Sequence, residues 1–216
     1  MSIRLAKTFV ILGTVLMLSA CQSAYYGALE KVGIHKRDVL VSRVEKTRDS
    51  QQDAKEQFKS ALEQFKTVVN FNGGELETIY NKLNDEYESS AEAAQDVSAR
   101  IESVASVSEA LFDEWEDELQ QYTSDTLKRK SQQQLKQTRK HYERLLRSMR
   151  SAEKTMQPVL NVFKDQVLYL KHNLNAQAIA SIKGELKTIE SNVSRLIQQM
   201  NSSINEANSF IDSINQ

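Results

Sequence analysis

Hydrophobic residues recur every three or four positions along most of the chain, the spacing that places them on one face of an α-helix. The pattern predicts four long helices, from about residue 38 to 69, 75 to 122, 125 to 171 and 176 to 214. No stretch shows the sustained alternation of hydrophobic and polar residues that is typical of a strand. The sequence therefore predicts an all-α protein with essentially no sheet.

Within each predicted helix the hydrophobic positions form a seam that steps by alternating threes and fours, as in a coiled coil. Two polar positions interrupt the first seam, Thr47 and Gln51, which are either a weak point or a device that sets helix register. The second seam is small around Ala94, so neighbouring backbones are expected to approach closely there. The third seam continues in phase across Pro158, which predicts a bend near residues 154–157 rather than a helix end. The fourth seam is the most regular: Ile179, Ile182, Leu186, Ile189, Val193, Leu196, Met200, Ile204, Ala207, Ile211 and Ile214.

The turns between these helices are short, which predicts antiparallel neighbours. A Gly-Gly pair at 73–74 marks the first turn, and Ser124 is a good N-cap after the second. In the third turn His172 is expected to take part in capping, and Asn175 to cap the last helix. The fold class is thus an elongated antiparallel bundle of about four long coiled-coil-like helices. The two central helices are the longest, so their hairpin is expected to extend beyond the bundle, with Tyr122 at the far tip.

The seams alone leave one ambiguity, because a bundle within one chain and zippers between chains share the same pattern. The distribution of charged residues indicates how the second and third helices pair. Residues 75–122 hold fourteen acidic and two basic side chains, whereas residues 127–154 hold ten basic and two acidic ones. Mutual neutralisation within the hairpin is one interpretation. The alternative is a surface for anionic lipid, lipopolysaccharide or peptidoglycan, formed by Lys128, Arg129, Lys130, Lys136, Arg139, Lys140, Arg144, Arg147 and Arg150.

The start of the chain is typical of a secretory signal. Basic residues (Arg4, Lys7) precede an apolar run at 9–18 that is too short for a transmembrane helix. Cys21 is the single cysteine, and the sequence Leu-Ser-Ala that precedes it resembles a bacterial lipobox. The resemblance implies that Cys21 carries acyl chains such as palmitate, on its sulfur and, after cleavage, on its amine.

These features divide the chain into a signal peptide (1–20), a lipidated cysteine with a juxtamembrane linker (21–37) and a helical coiled-coil domain (38–216). By resemblance to lipoprotein sorting rules, Gln22 and Ser23 after the cysteine favour the outer membrane. The expected location is its inner leaflet, with the body facing the periplasm. No later segment approaches 18 consecutive apolar residues, so no second membrane crossing is expected.

Candidate chemistry is sparse. The three histidines, His35, His141 and His172, are far apart and lack the spacing of metal-ligand motifs. The acidic run at 113–118 spreads around a helix, as expected of a solvated face. Nucleophile and dinucleotide motifs are absent, and the near-balanced charge does not call for nucleic acid. The sequence predicts a protein that is not an enzyme and that binds no cofactor and no metal.

Several stretches together resemble one family of proteobacterial helical lipoproteins, known only as domain of unknown function twenty-nine fifty-nine. They are residues 29–38 (LEKVGIHKRD), 69–74 (VNFNGG), 83–87 (LNDEY), 110–119 (ALFDEWEDEL) and 168–176 (LYLKHNLNA). The resemblance implies a single full-length helical domain and a lipoprotein. It implies no activity and assigns no functional residues.

Two functions are compatible with this picture. The first is a non-enzymatic scaffold or adaptor, held at the membrane by its lipid anchor, which binds an envelope protein or self-associates. The second is a periplasmic carrier or chaperone that binds an apolar ligand or client protein, for which the small seam of the second helix would leave a groove.

Overall fold

The computed structural model of the protein describes residues 35–69, 76–173 and 176–214. Over these residues the chain forms four α-helices: α1 (Lys36–Val69), α2 (Leu76–Leu119), α3 (Asp125–His172) and α4 (Ala176–Ile214). The all-α class and the four-helix order predicted from the seams are confirmed.

The turn between α2 and α3 begins earlier than the sequence pattern predicts, since α2 ends at Leu119 rather than at Tyr122. Amides of residues 120 and 121 bond to carbonyls three residues back, the tighter spacing that often ends a helix. Ser124 must then be extended to serve as the N-cap of α3, with its Oγ accepting a bond from the Leu127 amide. Residues 120–123 therefore reverse the chain and cannot continue α2.

At the other end of α3 the cap is Asn173 and not the predicted His172. The Asn173 amide donates to the Leu170 carbonyl at 3.1 Å, and its side-chain Nδ2 donates to the Tyr169 carbonyl at 2.9 Å. An asparagine side chain reaches back to the last carbonyls easily, whereas His172 is exposed in the final turn. The predicted Gly-Gly turn at 73–74 and the predicted cap at Asn175 lie outside the described residues.

Each helix packs against the next one in the chain, and α4 packs against α1, so the four helices close a ring around one core. Phe163 of α3 reaches across the centre to α1, where its ring stacks on Phe65 with centroids 4.7 Å apart and lies 6.3 Å from Phe58. All three phenylalanines are fully buried. The bundle is therefore formed within one chain, which answers the ambiguity that the seams left open.

The predicted seams agree closely with the observed core. All nine seam positions predicted in the first helix are buried: Leu40, Val44, Thr47, Gln51, Ala54, Phe58, Ala61, Phe65 and Val68. In α4 the core also takes Ser203 and Phe210, while Ile204 is only partly buried. After Met200 the observed seam steps by three and then by four, the reverse of the prediction. The α3 helix continues through Pro158, as the in-phase seam indicates.

The start of α1 lies beside the end of α2. Lys36 pairs with Glu114 at 2.7 Å, and further along Ser50 donates to Asp96 at 2.6 Å, which fixes an antiparallel register. The α2–α3 turn therefore lies at the same end of the bundle as residue 36. Tyr122 therefore lies at the hairpin turn, at the end of the bundle where the described chain begins, rather than at the opposite end as predicted.

Candidate functional surfaces of the helical rod

The predicted lipidation site, Cys21, lies outside the described residues, fourteen positions before His35. Acylation of Cys21 therefore stays a prediction. Among the described helices, none is both long enough and apolar enough to cross a membrane.

The end of the central hairpin has a small core of its own. We call residues 112–142 the hairpin tip. Phe112, Leu119 and Leu135 form its buried cluster, separate from the main core. Trp115 packs against this cluster and donates from Nε1 to Ser131 Oγ at 2.8 Å. These large side chains hold α2 and α3 together at the turn end of their hairpin.

One cation belongs to this cluster. Arg139 lies over the Phe112 ring at 5.0 Å and pairs with Glu116 at 2.7 Å, so its guanidinium is held by a ring face and a carboxylate together. Tyr142 meets Phe112 edge-on, with ring centroids 5.4 Å apart. Burial raises the pKa of the Tyr142 hydroxyl above its ordinary value, because the protein around it disfavours the charged phenolate.

A groove of about 920 Å³ runs along the hairpin tip between α2 and α3. Leu119 and Leu135, both almost completely buried, lie at its base. The α3 side of the groove is basic, with Arg129, Lys136, Arg139 and Lys140, and Glu116 and Glu143 are its acidic residues. We call this feature the tip groove. Its combination of a leucine base and a basic wall suits an anionic, partly apolar ligand.

The basic stretch of α3 is only partly neutralised by α2. Across this interface the described residues form two ion pairs, Arg139 with Glu116 and Arg150 with Glu102. Another cation, Arg144, pairs instead with Glu206 of α4. Mutual neutralisation within the hairpin, as expected from sequence, therefore accounts for a minority of the basic side chains in the described structure.

Acidic residues of α2 also turn to α1. Asp96 accepts bonds from Arg100 Nε and Ser50 Oγ, both at 2.6 Å. These two donors, the arginine first, hold the pKa of the Asp96 carboxyl below its usual range. The contact therefore links the two helices through a charged acceptor near the surface.

A second groove, of about 570 Å³, lies halfway along the bundle between α2 and α3. We call it the mid-bundle groove. On α2 it is lined by small residues, among them Ala91 and Ala94, and on α3 by Met156 and Leu160. The groove therefore lies in the part of α2 where small seam residues were expected to let the neighbouring helix approach.

The core contains a polar level between α1 and α4. Arg48 and Lys55 bond to Asn208 and Asn201 of α4, at 3.2 and 3.0 Å, which brackets the buried Gln51. Gln51 has no hydrogen-bond partner for either side-chain atom among the described residues. The same holds for the hydroxyl of Ser203, which falls between Asn201 and Asn208 on α4. Gln51 is one of the two polar positions predicted in the first seam, whereas burial of Ser203 was not predicted.

The remaining candidates for chemistry are dispersed. His35 precedes α1, His141 is half-buried in α3, and His172 ends that helix. In the described part of the chain, no group of three or more histidine, cysteine or carboxylate side chains is placed to hold a metal ion. The carboxylates of the acidic run at 113–118 are half-buried or exposed. The notable features of the described surface are accordingly the hairpin tip and the two grooves.

In a comparison with protein families, the chain matches the family described as "Protein of unknown function (DUF2959)" over residues 25–214. Neither the curated proteins nor the solved structures gave a match. The matched range includes all four helices and ten residues before His35. Because the match spans nearly the whole chain, the protein belongs to the DUF2959 family of proteins of unknown function.

Proposed function

We propose that the protein is a non-enzymatic, lipid-anchored helical rod that holds an envelope protein at a set distance from the outer membrane. Acylated Cys21 attaches the chain to the inner leaflet, and the bundle extends into the periplasm. The observation that carries the proposal is the shape: one continuous core runs along helices of 34 to 48 residues. At 1.5 Å per residue, α3 is about 72 Å long. A rod of this kind is suited to spacing and docking.

The geometry also supports a direction for the rod. The described chain begins beside Glu114, so a lipid at Cys21 tethers the end that carries the hairpin tip. The opposite end of α3 exposes two large apolar side chains, Leu168 at 47% and Tyr169 at 38%. That end lies about 45 Å from the level of Arg139, counted as thirty helical residues. We assign the docking of the envelope protein to this distal surface.

The anchor is tested by labelling cells with an alkyne analogue of palmitate. We expect label on the wild-type protein and none on the Cys21→Ala variant, which should leave the membrane fraction. A wild-type protein that takes no label and fractionates as soluble would refute the anchor and the proposal with it.

The scaffold is tested in intact cells with a photo-reactive amino acid at Tyr169, and at Tyr122 as a matched control. Both tyrosines are exposed to a similar degree, 38% and 41%, at opposite ends of the rod. We expect one specific envelope protein to be trapped at Tyr169 and not at Tyr122. Self-crosslinks alone would indicate a self-assembling rod, and equal capture at both positions would contradict a distal docking surface.

A second candidate function is favoured by the mid-bundle groove. It is a carrier or chaperone in which Met156, Leu160 and the small residues of α2 hold an apolar ligand. Native mass spectrometry of purified protein should then show a co-purified lipid that Ala91→Leu displaces. The control is Ala93→Leu, two positions along α2, where alanine is also half-buried but does not line the groove. A protein of bare polypeptide mass would count against the carrier.

A further inference from the structure

We infer that the basic side of the hairpin tip rests on a membrane surface of anionic phospholipid, as a second contact beside the lipid anchor. The inference rests on the proposed function for one point only, that the chain is tethered through Cys21. The surface itself is defined by the cations of the tip groove and by the apolar side chains at the hairpin turn.

The cations occupy one face of α3. Arg129, Lys136 and Lys140 are seven and four residues apart, which places them on the same side of a helix, and all three line the tip groove. All three are exposed, and within the described residues none has a carboxylate partner at ion-pair distance. Lys128 and Lys130 add two more charges in the first turns of the helix. Unpaired cations on one exposed face are what an anionic headgroup layer attracts.

Apolar side chains accompany these charges at the turn. Tyr122 is 41% exposed and Leu127 is 54% exposed, and they flank the reversal between α2 and α3. Tyrosine is favoured at the level of lipid headgroups, and a leucine there buries part of its surface against acyl chains. Leu119 and Leu135 at the base of the tip groove continue the apolar character inward. The tip therefore combines the two components of a peripheral membrane contact.

The position of the anchor favours this end of the rod. Cys21 lies fourteen positions before His35, and a fully extended chain of that length spans at most about 48 Å. The stretch of α3 from residue 125 to Arg139 extends about 22 Å past the start of α1, at the end of the bundle where the described chain begins. A membrane that holds the acylated Cys21 is therefore within reach of the hairpin tip. The distal end of α3 has exposed lysines too, but it lies about 45 Å along the bundle from the start of α1.

Vesicle binding tests the surface without the anchor. The protein is the processed chain, residues 21–216 with Cys21→Ser, which retains every described residue and the whole family match. It is mixed with vesicles of phosphatidylethanolamine and phosphatidylglycerol, or of phosphatidylcholine alone, at low salt. Trp115 is the single tryptophan and lies in the hairpin tip, so a headgroup-level quencher lipid reports contact at this end.

We expect sedimentation with the anionic vesicles, quenching of Trp115, and loss of both when salt is raised or the lipid is neutral. The triple variant Arg129→Gln, Lys136→Gln, Lys140→Gln should lower the partition coefficient on the order of 100-fold, since each basic residue near an anionic surface contributes about fivefold. Its matched control is Lys164→Gln, Lys171→Gln, Lys183→Gln, which removes the same charge at the distal end and should change binding less than about threefold.

Three results would overturn the inference: no binding of the processed chain to anionic vesicles, binding without quenching of Trp115, or an equal loss in the distal control. The substituted side chains are exposed, and circular dichroism verifies that both variants fold. If the tip variant failed to fold, quenching of Trp115 in the unsubstituted protein would still decide the matter. Because this protein carries no acyl chain, failure of palmitate labelling would refute the anchor and leave the vesicle result standing.

Discussion

Replacing Gln51 with leucine is expected to make the protein more stable. Gln51 is fully buried in the seam of α1, and neither the nitrogen nor the oxygen of its side-chain amide has a partner among the described residues. The nearby bonds of Arg48 and Lys55 go to Asn208 and Asn201 of α4 and leave this amide out. The substitution removes a buried polar group that is not hydrogen bonded and fills the site with an apolar side chain.

The magnitude follows from three effects of known size. A buried amide without a hydrogen bond destabilises the folded state by about 1–3 kcal/mol. Leucine has nearly the volume of glutamine, so the swap adds little strain, and it loses less side-chain entropy on burial. We therefore expect the free energy of unfolding to rise by about 2 kcal/mol, with the Tm raised by roughly 4–8 °C for a chain of this length.

The assay is urea and thermal unfolding followed by far-ultraviolet circular dichroism. The control is Gln134→Leu, the same exchange at an exposed position of α3, which should stay within about 0.5 kcal/mol of the parent. A loss of 1 kcal/mol or more in Gln51→Leu would refute the reasoning, because it would mean that the amide is hydrogen bonded in the folded protein.

Sedimentation of the variant then separates the two interpretations of this position. A monodisperse variant indicates a weak point, and a stabler but mixed population of oligomers indicates a register device.

The other predictions concern single side chains. Phe163→Ala should lower the free energy of unfolding by about 3–5 kcal/mol in urea titrations, because the ring is fully buried at the centre of the bundle. The lowered pKa of Asp96 makes its carboxylate stabilising above the unfolded pKa of about 4, and this contribution is lost as pH falls through the folded value. Asp96→Asn should remove that acid dependence and, at neutral pH, lower stability by at most about 1 kcal/mol, since the carboxylate is half exposed. Because the pKa of Tyr142 is raised in the folded protein, this side chain contributes stability below its unfolded pKa of about 10. That contribution is lost as the pH rises through the pKa of the folded protein. The stability of Tyr142→Phe should therefore fall less than that of the parent in an alkaline titration.

The sequence predicted the helices well because their seams are long and regular. Every predicted seam position of α1 is buried, and α4 begins and ends where the pattern placed it. The burial of Ser203 in place of the predicted Ile204 could not be foreseen from the sequence. Both residues lie near the seam, and the rotation of α4 against its neighbours decides which of them is buried. A seam also shows which face of a helix is buried, but it does not specify which other helix packs against that face. The packing of α1 on α4, and the side of the bundle on which the hairpin turn lies, therefore required the structure.

The same limit applies to the candidate surfaces. The basic residues of α3 are evident in the sequence, and the acidic residues of α2 made their pairing the natural expectation. Net charge, however, does not specify which faces of two helices meet. Arg129 and Lys136 lie on the tip groove and outside the contact between the two helices, so they remain unpaired within the described structure. Whether the cations of α3 share one exposed face depends on how this helix is rotated about its axis. The amino-acid composition does not specify that rotation.

Electrostatics nevertheless contributes to the fold by selecting neighbours. Each of the four helix contacts has at least one ion pair among the described residues: Lys36–Glu114, Arg139–Glu116, Arg144–Glu206 and Lys66–Glu190. Most of these side chains are partly exposed, so each pair is worth only about 0–1 kcal/mol against a hydrophobic core that spans the bundle. Such pairs add little to stability, but any other order of the helices around the core would break two of the four contacts and their ion pairs. The core therefore makes the rod stable, and the charges select one order of helices around it. Among the exposed cations without an ion-pair partner in the described structure are those of the hairpin tip, to which we assign the membrane contact.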